Sequence, residues 1–342
     1  NSVEQLPTYV APTWEAIVDT AISVEDDLAA LLDRIKPDAI LLDNVIMFPA
    51  IAKAGCPWVR IVSCAETELP DARVPPYLSG LSPDDDRACA AFRKAYLKNT
   101  RAPHARYNEF RKKRGLAPLA PGEFLEPSPT LNLLLAPSVV RYDREVPLSE
   151  EKFVFLEGCV RKETPFELPD FPVTKGPVIY TSFGSLGAID TDLIKRMIDV
   201  FATIPARFLV NVGGFDEAYD HIPDNVHLGN WFPQPSVVAG SALFIHHGGN
   251  NSFCEALYHG VPSLVMPYCW DGHDNAQRAQ AQGVGRRIDR ATWTAKSLRA
   301  EILALLEGHE MQDRLQQVSR QMQDNAGTQR AAEAVLGAIS AT

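Results

Sequence analysis

One stretch limits what this chain can fold into more than any other: residues 231–278, WFPQPSVVAGSALFIHHGGNNSFCEALYHGVPSLVMPYCWDGHDNAQR. Within it the apolar run Leu243, Phe244, Ile245 passes directly into His246, His247, Gly248, Gly249, Asn250, Asn251 and Ser252, and helix-like spacing follows. A strand that closes on two glycines lets the backbone come close to a ligand, because glycine has no Cβ and tolerates positive φ. The next helix then offers its first N–H groups and the positive end of its dipole, which suits a phosphate. His247, Asn251 and Ser252 place polar side chains at the same end of the sheet. The layout predicts an anion site. Taken singly, the parts have simpler readings. Ser252 with Glu255 is a capping box, His247 is a strand-end histidine, and Trp231 is a core residue.

The joint spacing says more than the parts. Trp231, Pro233, Gln234, Phe244, His247, Gly249, Asn251, Ser252, Glu255, Gly260, Val261, Pro262, Pro267 and Asp271 stand in register with one spaced pattern. On these residues the stretch resembles the donor-binding signature of the family 1 glycosyltransferases, nucleotide-sugar enzymes of the GT-B fold. The resemblance implies that Trp231 stacks on a pyrimidine base and that the backbone beside Gln234 holds its edge. It places the diphosphate on His247, Gly249, Asn251 and Ser252, the ribose hydroxyls on Glu255, and hydroxyls of the transferred sugar on Asp271. Ser185, in the Gly184-Ser185-Leu186-Gly187 loop, matches the family's loop serine near the donor. Two positions depart from the plant pattern. Asn250 replaces a Trp, as in bacterial members, and Gly272 replaces the Gln that usually grips the sugar, which leaves room for a deoxysugar.

The chain has 342 residues, enough for two domains. A net charge of −10 argues against a nucleic-acid partner, whose phosphates need a basic face. The six cysteines form no CxxC pair and read as buried free thiols of a reducing compartment. No apolar run is long enough to cross a membrane and no signal peptide opens the chain, so the cytoplasm is expected. The expectation is a monomer or weak homodimer with a small-molecule acceptor, a UDP-sugar or dTDP-sugar as co-substrate, and neither metal nor other cofactor.

Alternating strand and helix patterns predict an α/β fold with two Rossmann-like domains. An acceptor-binding domain is expected over residues 1–160, a Pro-rich linker over 161–176, and a nucleotide-sugar-binding domain over 177–342 whose last helix returns to the first domain. Residues 1–10 show no clear element, and Ser23 with Asp26 looks like a helix start. A β-α-β unit then runs through Ala39–Leu42 and Trp58–Val62, with Asp43 at a strand's C-terminal end, where open α/β sheets place ligands. Asp43 has two readings: the partner of a catalytic histidine, which the resemblance implies, or a cap on the next helix. Asp84, Asp85 and Asp86 read as a solvated loop. His104 reads as a loop or helix-start residue, and the basic run 111–114 as the solvated face of a helix. His273 reads as a surface cap.

Family members begin with a β-loop-α unit whose Gly-His motif carries the general base, whereas no histidine precedes His104 here. The expectation is therefore a fragment whose first strands and catalytic histidine lie ahead of residue 1. The function expected of the full protein is inverting transfer of a sugar to a hydroxyl of a small lipophilic acceptor, such as a phenolic, flavonoid or macrolide-like compound. The alternative is a catalytically silent nucleotide-sugar-binding or auxiliary protein of the same fold. A nucleotide-sugar epimerase ranks last, since no acid–base carboxylates can be placed for it.

Overall fold

Successive side chains of a strand point to opposite faces, so a strand that is apolar at every position must be covered on both. In the computed structural model, which describes residues 2–173 and 175–340, the Ser185 side chain excepted, the apolar first part of strand β5 (Val178–Ser182) is covered in this way. Ile179 joins one core with Phe208 and Val210 of β6 (Arg207–Asn211) and Leu243 and Ile245 of β8 (Leu243–His246). Tyr180 faces the other way, into a second cluster with Leu209 and Phe244. With β7 (Val226–Gly229), β9 (Ser263–Val265) and β10 (Gly285–Arg287) these strands form one parallel sheet in the order β10-β9-β8-β5-β6-β7. The order reverses between β8 and β5, where Ser182 lies opposite His246. Ligands of open α/β sheets bind outside the carboxyl ends of the strands at such a reversal.

The strands β1 (Ile40–Leu42), β2 (Trp58–Val62), β3 (Leu131–Leu134) and β4 (Phe153–Phe155) form a separate parallel sheet in sequential order. The chain divides into two compact units, Asn1–Leu156 with Gly327–Thr342, and Glu157–Ala326. The stretch expected as a linker belongs to the second unit. There Phe166 and Phe171 pack against the cluster of Tyr180 and Phe232, and Ser236 Oγ donates to the Thr164 carbonyl at 2.8 Å.

The first unit corrects several expectations. Residues 2–35 are helical throughout, as α1 (Ser2–Gln5), a π-helical turn over Leu6–Val10, and α2 (Ala11–Ile35). Leu6, Val10, Trp14, Val18 and Ala21 recur every three or four residues and are all buried. Pro7 and Pro12 masked that period; Pro7 lies in the π-helical turn and Pro12 just after it, where the chain leaves regular α bonding and the Ala11 N–H reaches back to the Leu6 carbonyl. Ser23 starts no helix; it lies inside α2 and donates to the Thr20 carbonyl at 2.9 Å. Lys36, left-handed at φ 48°, ends α2 just before Pro37. After the short α3 (Pro49–Ala52) comes α4 (Asp86–Lys113), capped by Asp85, which accepts from the Ala88 N–H at 2.9 Å. The acidic run thus serves as a helix start. His104 lies well inside α4, after Pro103 in its interior, and bonds the Ala120 carbonyl at 2.8 Å. Arg111 is buried and grips Glu126 through two hydrogen bonds at 2.9 and 2.8 Å, so the basic run is no uniformly solvated face. Of the free cysteines only Cys89 is fully buried among the described residues; the others are half-buried.

The second unit continues with α5 (Gly184–Gly187), α6 (Thr191–Phe201), α7 (Gln234–Ala239), α8 (Asn250–His259), α9 (Gly272–Ala281), α10 (Ala295–Leu306) and α11 (His309–Asp324), while α12 (Gly327–Ser340) packs beside β3. No helix among the described residues is long and apolar enough to cross a membrane.

One buried amide ties α6, β6 and β7 together. Asn225 Nδ2 lies within 2.9–3.1 Å of the carbonyls of Phe201, Ile204 and Ala206. Asn225→Ala removes these bonds and is expected to lower stability by about 1–3 kcal/mol, read as a drop in the urea midpoint at unchanged slope.

Candidate functional site

The site is built on the turn between β8 and α8. His246, wholly buried, accepts the Gly248 N–H on Nδ1 at 3.1 Å and so fixes the bend. Gly248 adopts φ +92°, open to glycine, and a Cβ there would lie 2.6 Å from the Gly272 carbonyl oxygen. The His247 ring is wedged between two further glycines. A Cβ at Gly184 would stand 3.1 Å from its Cε1, and one at Gly249 would stand 2.6 Å from its Nε2. The glycines at the ends of β5 and β8 thus make room for this imidazole. Burial pulls the His247 pKa down; the Ser182 backbone pulls it back up, and the Arg290 charge pushes it further down. The ring is therefore a neutral donor or acceptor near pH 7.

Helix α8 opens at Asn250 behind Gly249, with no side-chain cap. The expected capping box does not form, because Ser252 is already the third residue of the helix. Ser252 and Glu255 turn to Gln234 instead, whose Nε2 donates to Ser252 Oγ at 3.1 Å and to Glu255 Oε2 at 2.7 Å. Arg161 donates to the other oxygen of Glu255 at 3.1 Å. Burial raises the Glu255 pKa, and Gln234 and Arg161 draw it back down. Asn251 remains exposed at the helix start. Trp231, expected as a stacking platform, is 69% exposed rather than in the core, an unusual cost for an indole.

Asp271 stands at the N-cap of α9, and its Oδ2 accepts from the Asn250 N–H and from Asn275 Nδ2, both at 3.0 Å. Trp270 just before it is left-handed at φ 55°, a strained conformation for a bulky side chain. Asn275 also donates to the Gly248 carbonyl at 2.7 Å and accepts from Arg278 at 2.6 Å. Residues 271, 275 and 278 lie on one face of α9 and hold the β8–α8 turn. That i, i+4, i+7 spacing is visible in the sequence. Arg161 and Arg290, also in contact with site residues, carry no such signal. His273 is a buried residue and no surface cap, because α9 lies against the sheet. Burial, with the Arg287 charge beside it, pulls its pKa down to about 4. Ser185 falls in α5, and its side chain is outside the described residues.

In the first unit, Asp43 is exposed at the end of β1 and accepts from Ser63 Oγ at 2.5 Å. It does not cap α3, whose N-cap is Phe48. A cavity of about 440 Å³ is lined by Trp14, Tyr96, Phe124 and Phe153, with the ion pair of Arg60 and Glu68 (2.9 Å) in its wall.

Residues 195–339 match the erythromycin biosynthesis protein CIII-like C-terminal domain. A kitacinnamycin glycosyltransferase structure superposes with a TM-score of 0.74 at 23% identity, covering 96% of this chain and 82% of that one. The chain is a relative of the family 1 glycosyltransferases and has the GT-B fold. The glycosyltransferase VinC, solved in complex with dTDP, superposes with a TM-score of 0.63 at 18% identity over 98% of this chain and 82% of its own. Oleandomycin glycosyltransferase of Streptomyces antibioticus is 26% identical over 244 residues, 70% of this chain. Aklavinone 7-beta-L-rhodosaminyltransferase of Streptomyces galilaeus is 38% identical over 127 residues, 35% of this chain. The chain spans 56% and 27% of these two relatives' lengths.

Two tests follow from this geometry. A Cβ at Gly272 would lie 2.5 Å from the His247 carbonyl oxygen, so this position holds glycine for want of space. Gly272→Ala is expected to destabilise by about 1–3 kcal/mol, measured by urea unfolding. The second concerns acid. His246 and His273 have folded pKa values lowered by burial from 6.5 to about 3 and about 4. Between those values and 6.5 the unfolded chain takes up protons that the folded chain excludes, so stability is full above pH 6.5 and falls as the pH drops through this window. His273→Gln should make the decline of melting temperature from pH 7 to pH 4.5 shallower than in the wild type.

Proposed function

We propose that this chain takes part in transfer of a sugar from a pyrimidine nucleoside diphosphate sugar to a hydroxyl of a small lipophilic natural product. The observation that carries the reading is the mouth of the second sheet. A helix N-terminus whose own N-cap is Gly249, the neutral His247 and the exposed ring of Trp231 meet the needs of a diphosphate and a base within one short stretch. Asn251 and Ser252 flank the diphosphate, Glu255 takes the ribose, and Asp271 serves the sugar. Asp271 already holds α8 through the Asn250 N–H, so it orients the site as well as offering an acceptor. The structural relative solved with dTDP keeps thymidine beside uridine as the nucleoside.

The first unit supplies the acceptor. Its aromatic-walled cavity suits a lipophilic ring system, consistent with relatives named for oleandomycin and aklavinone. In the reaction, the acceptor oxygen attacks the anomeric carbon with inversion while the bond to the diphosphate breaks and its electron pair leaves with the phosphate. A base takes the acceptor proton, and Asp43 is assigned to orienting that base. The helix N-terminus and His247 stabilise the departing anion.

A thermal-shift titration with UDP, dTDP and ADP, run beside Trp231→Ala, tests the donor reading. Ligand at about 100 times its Kd stabilises by about 2.7 kcal/mol. UDP or dTDP should raise the melting temperature of the wild type and do so far less in the variant. A response confined to ADP, or none from a folded chain, overturns the reading.

A further inference from the structure

The mouth of the second sheet holds a cation that the donor signature does not contain. Arg290 follows β10, yet its guanidinium carbon lies 5.3 Å from the ring centre of Phe183, at the end of β5, and 4.6 Å from that of Tyr268, beyond β9. Its Nη2 donates to Asp190 Oδ2 at 2.9 Å, while the other oxygen of Asp190 caps α6 by accepting from the Leu193 N–H at 3.1 Å. Three supports therefore hold the side chain, and its place does not depend on a flexible stem. Nη1 is buried and has no hydrogen-bond partner among the described residues. Phe183 immediately precedes Gly184, the glycine against which the His247 ring packs, so the guanidinium and the imidazole share a wall. The Arg290 charge is felt at His247, where it disfavours a second positive charge.

A buried guanidinium with one carboxylate partner, half exposed on its far side, leaves part of its field unspent. Across the shared wall stand the neutral His247 and the N-terminus of α8. We infer that Arg290 is a positioning residue for the donor's diphosphate: a fixed positive charge that attracts the phosphate end toward His247 and the start of α8. The inference rests on the donor reading above and adds to it a residue outside residues 231–278. It assigns the strongest local charge at this mouth to the third strand-end segment, after β10. The segments after β5 and β8 then supply shape and hydrogen bonds.

The test separates the phosphate from the nucleoside. Isothermal titration of the whole chain with UDP, dTDP, uridine and thymidine is run on the wild type, Arg290→Met and Arg290→Lys. Methionine keeps an apolar stem between the two rings, and lysine restores the charge. UDP and dTDP affinity should fall by at least about tenfold in Arg290→Met, as expected for loss of a charge acting at a few ångströms in a partly buried site. Uridine and thymidine affinity should stay unchanged, and Arg290→Lys should recover most of the loss. Asp190→Asn retains a capping side chain but removes the counter-charge, and should tighten UDP binding severalfold even if Arg290→Met does not fold. Equal weakening of nucleosides and nucleotides in Arg290→Met would assign Arg290 a structural role only and overturn the inference. Wild-type UDP affinity in Arg290→Met, or in Asp190→Asn, overturns it too. A wild-type chain that binds neither UDP nor dTDP refutes the donor reading itself, an outcome distinct from all of these.

Discussion

The close approach of two backbones, at Gly248 and Gly272, is the constraint on which the mouth of the second sheet depends. A Cβ at Gly248 would run into the Gly272 main chain, and one at Gly272 into the His247 carbonyl just before Gly248. Their contact lets Asn275 reach the Gly248 carbonyl and Asp271 reach the Asn250 N–H. Those bonds aim α8, and α8 presents Asn251 and Ser252. The left-handed Trp270 is part of the same arrangement, since it turns the chain from the short β9 into the start of α9. Backbone strain at one residue is accepted because several hydrogen bonds downstream hold the turn.

The charged side chains around the mouth are largely paired with one another. His246 and His247 stay neutral because burial disfavours their cations. Arg278 is held by Asn275 and Asn250, and Arg161 by Glu163 and Glu255. Beside Arg290, what remains for a ligand is the helix end, an arrangement of dipoles fixed in advance. Such preorganised groups need little rearrangement when an anion arrives.

The legible parts of this chain are those where one residue's need shows in its neighbours' identities. The strands were legible because β-branched and aromatic runs had to be covered on both faces, and the turn after β8 because glycine is demanded wherever backbones or an imidazole come too close. Helix α2 was obscured by Pro7 and Pro12, which the continuous helix accommodates at and just after its π-helical turn rather than by ending there. Ser252 and Glu255 looked like a cap because local spacing suits one, whereas their partner, Gln234, comes from a different helix. Arg161, Arg287 and Arg290 were invisible for a related reason. A long side chain's destination is set by tertiary packing, and nothing in its neighbours records it.

Glu255 shows how a motif residue and its surroundings become one unit. Its side chain is only 4% exposed, and a carboxylate so placed must find donors or give up its charge. Arg161 takes one oxygen and Gln234 the other. Each oxygen has a second lone pair, so a diol of the proposed nucleoside shares the carboxylate with both donors and displaces neither. Affinity for a ribose would thereby be tied to the segment around Arg161, which bonds Glu163 and lies seventy residues before Trp231. The donor signature is local in sequence, but the carboxylate within it is set by a part of the chain that no spacing rule connects to it.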